Sequence, residues 1–484
     1  MMRTKIVCTL GPASDDESVL RQIIHAGMDV ARINFSHGTQ ADHARRIGLV
    51  RRLAQEEDAQ VAIMGDLQGP KFRIGALPAG GVLLENSRQL MLSASQPYAG
   101  DGAALVIPMP HPEFITAMRP GQRLLVDDGA LILRVAAEPA GDSVLCDVVS
   151  GGILTSRKGV SAPGAHFAMS AITPKDRADV QFAVEQRLDA LALSFVRKDE
   201  DIIELRELAH GLGADPVIVA KIEKPEALDD LPDILRATDV VMVARGDLGV
   251  ESPPEQVPFH QKTIIRSCLN AGVPVITATQ MLQSMIELPS PTRAEASDIA
   301  NAVLDGTDAV MLSGETAIGK HPVDSAQAMA RIARHAEEHG WTACQPSGFP
   351  AQPAPLRDNL PAPDDVTEAI TSAAVEIADA IGAKAIVCNT TSGHTARMIA
   401  RHRPARPILA LTPHYRTFQF TAFMWGVQAV LAPVFTSTDE MLAAAARVAQ
   451  QEGYAAPGDL IVVTGGLPLG AGTGKTNLIK VHEV

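Results

Sequence analysis

The chain has 484 residues, of which 46% are hydrophobic, 20% charged and 4% aromatic, and it carries a formal net charge of -14. That length exceeds what one compact core organises and predicts two or three domains. The acidity argues against a general binder of nucleic acid or anionic lipid, and the scarcity of aromatic rings argues against a stacking platform for single strands. Small phosphorylated ligands remain open, provided that their site is a local basic pocket.

Cys8, Cys146, Cys268, Cys344 and Cys388 are odd in number and scattered without CxxC spacing. This disfavours a disulfide framework and a zinc site, and a reducing cytoplasmic setting is expected. Met1 to Lys5 run directly into a strand-like segment, so no export signal is expected. The long uncharged stretch Thr417 to Thr438 is broken by Gln419, Gly426, Gln428 and Pro433, and no membrane span is expected.

In chain order, Val- and Ile-rich runs predict strands at Lys5 to Leu10, Val30 to Ser36, Val61 to Asp66, Ala190 to Phe195, Val217 to Glu223, Val240 to Asp247, Val273 to Gln280 and Ala309 to Glu315. Helix-period segments lie between them at Asp16 to Ala26, Asp42 to Glu56, Lys175 to Arg187, Glu200 to His210, Pro254 to Asn270 and Thr292 to Leu304. Ser14 followed by Glu17 reads as a capping box. Eight alternations of this kind predict a (β/α)8 TIM barrel, with a first part at 1–69 and a second at 169–340.

The alternation breaks between 70 and 168, where the pattern predicts an inserted all-β module, a β-barrel lid. Val126-Asp127-Asp128-Gly129-Ala130 reads there as a hairpin turn. Leaving from the C-terminal end of the third strand, the insertion must overhang the barrel mouth, as a lid does. A Pro-rich linker at 346–363 precedes a smaller α/β domain within 341–484, with a helix at Val366 to Ala380 and strands at Ala385 to Asn389, Pro407 to Leu411 and Leu460 to Thr464.

Three apolar runs end abruptly in polar residues: Ala220-Lys221-Ile222-Glu223, Val243-Ala244-Arg245-Gly246-Asp247 and Thr277-Ala278-Thr279-Gln280. In a parallel barrel the C-terminal strand ends converge, so these side chains meet. Lys221 and Glu223, two apart on a strand, share a face. Glu223 and Asp247 offer two hard oxygen ligands for Mg²⁺ or Mn²⁺, the alternative being a structural pairing with Arg245. Arg32, Asn34, Ser36, Asp66, Thr279 and Glu315 end other strands on the same face. Cations around a carboxylate-held metal fit phosphoryl transfer, and the residues alone also leave room for an enolate-forming barrel lyase or aldolase.

Six strings carry a resemblance to the pyruvate kinases over essentially the whole chain. They are Lys5-Ile6-Val7-Cys8-Thr9-Leu10-Gly11-Pro12-Ala13-Ser14, Ala31-Arg32-Ile33-Asn34-Phe35-Ser36-His37-Gly38, the Lys221 and Asp247 strings, Ala278-Thr279-Gln280-Met281-Leu282 and Met311-Leu312-Ser313-Gly314-Glu315-Thr316. The resemblance implies transfer of the phosphoryl group of phosphoenolpyruvate to MgADP, giving pyruvate and ATP as the last step of glycolysis, in a homotetramer. It implies that Glu223 and Asp247 hold the metal and that Lys221 and Arg32 stabilise the transferring group and the enolate. Gly246, Asp247 and Thr279 would orient the substrate carboxylate. Arg73 and Lys158 on the lid, with Asn34 and His37, would contact the ADP or ATP phosphates. A catalytically dead metabolite sensor is the non-enzyme alternative, which the intact Lys221, Glu223, Asp247 and Thr279 argue against.

One departure bears on the cofactors. Potassium-requiring members of the family have Thr, Lys and Glu where this chain has Leu67, Gln68 and Lys71. The Lys71 ammonium is therefore expected to replace K⁺ in the pocket of Asn34, Ser36 and Asp66, making K⁺ unnecessary. In the C-terminal part, Thr390, Thr391, Ser392, Gly393, His394 and Thr395 follow a strand and open a helix, which predicts a phosphate cradle. The family uses this loop for phosphorylated allosteric effectors, and a sugar monophosphate or nucleotide is expected here. Gly470 to Thr476 resembles a Walker loop but has Leu469 where the first Gly belongs, and reads instead as a loop over that effector site.

Overall fold

The computed structural model describes residues 2–100, 105–127, 129–165, 167, 170–343, 365–468 and 475–484. Eight parallel strands close into a barrel: Lys5–Leu10, Val30–Asn34, Ala62–Asp66, Ala190–Leu193, Val217–Ile222, Val240–Ala244, Val275–Ala278 and Ala309–Leu312. Each strand pairs with its sequence neighbour, and the eighth closes on the first through Lys5 to Cys8 against Ala309 to Leu312. Alternate residues divide the strands as a period of two requires. Val7, Val30, Ala62, Met64, Ala190, Ala192, Val217, Val219, Val240, Met242, Ile276, Ala309 and Met311 fill the interior, while Ile6, Cys8, Ile33, Ile63, Leu191 and Ile218 pack against the helices.

At the bottom of the barrel one device occurs four times. The aspartates that precede the even strands, Asp29, Asp189, Asp239 and Asp308, accept the amides of Ile6, Ile63, Ile218 and Val275 on the preceding odd strands, at 2.8, 2.8, 2.9 and 3.0 Å. A buried amide that no neighbouring strand reaches is costly, and a short carboxylate one strand over satisfies it. Two of these aspartates also hold the C-terminal part. Arg403 lies 3.1 Å from Asp308 with both side chains buried, the Trp425 amide donates to Asp308 Oδ1 at 3.1 Å, and Arg416 lies 3.6 Å from Asp239. Phe420, Phe423 and Met424 extend the interior core of the barrel downward, so the two packings are continuous.

Among the described residues, the insertion after the third strand forms a six-stranded sheet and a two-stranded ribbon, with one short helix, Pro112–Ala117, among the strands. The hairpin joins Arg123–Val126 to Leu131–Val135, with Asp127 and Gly129 at φ 55° and 87°; Asp128 lies outside the described residues. The C-terminal sheet has the order Val427–Leu431, Ile408–Thr412, Ile386–Asn389, Leu460–Gly465, Leu478–Glu483, with only the last pair antiparallel. Cys344, the linker 346–363 and the Walker-like 469–474 lie outside the described residues.

Some local expectations are corrected. The first helix, Glu17–His25, is capped by Asp16, whose Oδ1 accepts from Ser18 N at 2.8 Å and Val19 N at 3.2 Å. Ser14 instead closes a tight turn with Gly11, and Glu17 pairs with Arg52, because a carboxylate directly before the helix meets its amides without a detour. The sixth strand ends at Ala244, and Arg245–Glu251 is a helix, so Asp247 sits in a first helical turn and not on a strand. Val427–Leu431 and Leu478–Glu483 were not expected as strands. The second is an edge strand whose Lys480, His482 and Glu483 dilute the apolar signal.

Candidate active site

The inward-facing period that fills the barrel with Val, Ala and Met runs on into polar residues at the C-terminal end. Val30 and its successor by two, Arg32, lead to Asn34; Met64 leads to Asp66; Ala192 leads to Ser194; Val219 leads to Lys221 and Glu223. Sequence reading finds all of these but Ser194 on one face, and the structure joins five of the six, Arg32, Asp66, Ser194, Lys221 and Glu223, in one contact network.

Asp66 is the hub. Its Oδ2 accepts from Arg32 Nε at 2.6 Å and its Oδ1 from Lys221 Nζ at 3.1 Å. Lys221 also reaches Glu223 Oε1 at 2.8 Å and Ser194 Oγ at 2.6 Å, and Arg32 Nη1 donates to Thr9 Oγ1 at 2.8 Å. Burial pushes the Asp66 carboxyl up, but the Arg32 and Lys221 cations outweigh it and leave it below the ordinary carboxylate range. For Glu223 burial prevails over Lys221, with Asp247 adding like-charge repulsion, and its carboxyl is pushed up to about 7. Burial alone would lower Lys221, yet Asp66 and Glu223 hold it firmly protonated. The result is two fixed cations facing the mouth, beside two carboxylates that repel each other.

Thr279 closes the opposite side. Its Oγ1 accepts from Gly246 N at 2.7 Å and donates to Ala278 O at 2.7 Å. Thr279 and Gln280 both take left-handed backbone, φ 69° and 58°, a strained arrangement for residues with side chains and one that clusters at functional sites. Arg245 braces this turn through Thr279 O at 2.7 Å and pairs with Asp298 at 2.7 Å, so it is not the partner of Glu223 or Asp247. Glu315, expected at the mouth, is fully buried, where its carboxylate accepts from Leu282 N and Ser313 N. It shapes two loops and does not reach the site.

Lys71 lies 3.9 Å from Asp247 Oδ1, not among Asn34, Ser36 and Asp66 as expected. The reason is electrostatic: Asp66 is already neutralised by two cations, and Asn34 Oδ1 accepts the Ser36 amide at 3.0 Å. Two clefts of about 1050 and 1210 Å³ meet at Lys71 and Asp247, the first running between lid and barrel past Phe195, Lys224 and Glu251. Arg73 and Lys158 stay on lid partners, the Arg157 carbonyl at 3.0 Å and Asp127 at 2.8 Å, and His37 is exposed on the loop after the second strand. The structure does not bring these three to the Lys221 cluster. Thr390 to Gly393 form the loop before the helix His394–Ala400, whose first turn carries His394 and Thr395: Gly393 N donates to Thr390 Oγ1 at 3.0 Å, and Thr395 Oγ1 meets Thr476 Oγ1 at 2.8 Å.

Sequence reading missed Thr9, Ser194 and Phe195, whose amide donates to Glu223 Oε2 at 3.0 Å. The signal was present, since Thr9 and Ser194 each lie two residues beyond an interior apolar position.

Residues 1–326 match the family described as pyruvate kinase, barrel domain, and residues 368–482 match pyruvate kinase, alpha/beta domain. The chain is 42% identical to a pyruvate kinase of Clostridium perfringens, covering all of both chains, and 43% identical to one of Geobacillus stearothermophilus, covering 80% of that protein. It superposes with a TM-score of 0.88 on the crystal structure of a pyruvate kinase from Cryptosporidium parvum at 34% identity, covering all of this chain and 96% of the other. The family matches, the full-length identities and the shared fold agree, and the chain belongs to the pyruvate kinase family, as an enzyme that transfers phosphate.

Proposed function

We propose that the chain transfers the phosphoryl group of phosphoenolpyruvate to ADP. The bond from phosphorus to the enol oxygen breaks, a bond from phosphorus to a terminal β-phosphate oxygen of ADP forms, and the enolate left behind takes a proton to become pyruvate. The observation that carries this reading is the pair of fixed cations, Lys221 and Arg32, held on one buried Asp66 at the barrel mouth. Cations that need no rearrangement stabilise charge on a transferring phosphoryl group most effectively.

Glu223 and Asp247 fit a divalent cation, Mg²⁺ or Mn²⁺, because each is an oxygen donor, and burial, with repulsion from Asp247 added, raises the Glu223 carboxyl, a penalty that a bound cation would relieve. Among the described residues no set of three or more His, Cys, Asp or Glu is placed to hold a metal, so substrate and water would complete the shell. When bound, the ion supplies charge neutralisation at phosphate and carboxylate oxygens. Gly246 and Asp247 amides with the Thr279 hydroxyl orient the carboxylate. Arg73 and Lys158, with Asn34 and His37, take the nucleotide phosphates, Lys158 exchanging Asp127 for phosphate.

The same reading includes independence from K⁺, with the Lys71 ammonium supplying a fixed positive charge at the mouth from the Asp247 side. The test is pyruvate formation from phosphoenolpyruvate and MgADP without activating monovalent cations, repeated with KCl at matched ionic strength. Equal rates are expected, and activity confined to the KCl arm would overturn K⁺ independence while keeping the kinase. Lys71→Glu is expected to acquire K⁺ dependence, read from the same pair of assays; a rate as indifferent to K⁺ as the parent's would count against Lys71.

Regulation through the Thr390 to Thr395 loop, in a homotetramer, belongs to this reading as well. Sugar monophosphates or AMP are expected to shift the phosphoenolpyruvate saturation curve, and a curve unmoved by both would end the regulatory assignment.

A further inference from the structure

Lys221 is an ammonium with three N–H bonds and, in this fold, three acceptors: Asp66 Oδ1, Glu223 Oε1 and Ser194 Oγ. Two of them are carboxylates that attract it without fixing its direction closely. The third is neutral, and it is the shortest of the three contacts at 2.6 Å.

Ser194 has one hydrogen to give, and Lys221 cannot accept it. The hydroxyl donates instead to the Leu67 carbonyl at 2.7 Å, which aims its lone pair at Lys221. The side chain is buried, so water does not compete for either bond. The surrounding backbone keeps the serine in place. Phe195, the next residue, adopts left-handed backbone at φ 57°, and this turn carries its amide to Glu223 Oε2 at 3.0 Å. Gly69, at φ 67°, lets the loop after the third strand press onto this dipeptide, for a Cβ there would stand 2.8 Å from the Phe195 ring and 3.0 Å from Ser194 Cβ. That loop is tied down in turn, as Asp176 Oδ1 accepts the amides of Gln68 and Gly69.

We infer that Ser194 is a positioning residue for phosphoryl transfer: it fixes the direction of the Lys221 ammonium from the Leu67 carbonyl, while the amide of Phe195 fixes Glu223. Resting on the kinase reading above, this assigns a task to the fourth strand, which contributes no charged group to the mouth. A misaligned ammonium still attracts an anion at longer range but loses its aim at the developing charge, so the loss falls on turnover more than on substrate binding.

The experiment compares the parent enzyme with Ser194→Ala, Ser194→Thr and Ser194→Val, reading kcat, the KM for phosphoenolpyruvate and for ADP, and the melting temperature. Ser194→Ala is expected to lower kcat by about 10- to 100-fold with each KM within about threefold, since lost alignment costs that order. Ser194→Thr, which keeps the hydroxyl, is expected to recover kcat to within about fivefold of the parent, and its isostere Ser194→Val is not. Equal losses in Thr and Val, tracking the fall in melting temperature, would overturn the positioning role in favour of plain packing. Full kcat in Ser194→Ala would overturn it outright. No pyruvate from the parent would instead sink the kinase reading itself, so the two failures are separable.

Discussion

Lys221→Met is expected to reduce kcat about 10³-fold, the upper end of what removal of a single neutral transition-state donor costs, because here the lost group carries a full charge and is buried. The substitution keeps the length and much of the volume of the side chain. It leaves Asp66 paired with Arg32 at 2.6 Å, so the hub survives. What it strands is Glu223, whose carboxyl already sits at about 7 and loses the cation that pulled it down. That group answers by taking up a proton, so the fold is expected to persist, with a circular-dichroism spectrum like the parent's. Turnover within tenfold of the parent, at saturating phosphoenolpyruvate and MgADP, would remove Lys221 from the reaction.

The second large effect lies at the opposite end of the barrel. Asp308→Ala removes three partners at once: the Val275 amide, the Trp425 amide and the Arg403 guanidinium. Arg403 would remain buried against Trp425, its guanidinium 5.0 Å from the ring centre, with its charge unmatched. Breaking one side of a buried pair in this way costs about 3–5 kcal/mol. Calorimetry is expected to show the melting of the C-terminal sheet moving to lower temperature and separating from that of the barrel. Asp189→Asn is the control. Burial pushes the Asp189 carboxyl up to about 6, so at neutral pH the fold holds a charge it disfavours, and asparagine keeps an oxygen for the Ile63 amide. The Asn variant is expected to melt no lower than the parent at pH 7. Comparable losses in both would mean that the Arg403 contact adds nothing to the amide cap.

The barrel was legible because its strands are short apolar runs separated by amphipathic helices, and closure then follows from their number. The site was legible where a charge ended such a run, as at Lys221, Glu223 and Asp66. Reading failed where the backbone left the strand early. Asp247 looks like a strand end, yet the chain turns helical at Arg245, and Glu315 is carried into the interior by the turn at Ser313 and Gly314. Lys71 shows a different limit. Its chemistry was read from residue type, but its direction is set by charges already spent on Asp66 by Arg32 and Lys221, residues far from it in sequence. Ser194 was overlooked because a serine after an apolar run is common at loop entries. Its importance depends on the two neighbours that its single hydroxyl joins.

The aspartates at the bottom of the barrel hold one more lesson. Met28-Asp29-Val30, Leu188-Asp189-Ala190, Thr238-Asp239-Val240 and Thr307-Asp308-Ala309 stand at equivalent pairing positions, each opposite the residue whose amide it accepts. A slip of one residue between any such pair would turn an interior face outward and pull a carboxylate off its amide in the same motion. The ring is therefore indexed at every second seam, as four copies of one strand–helix–strand quarter.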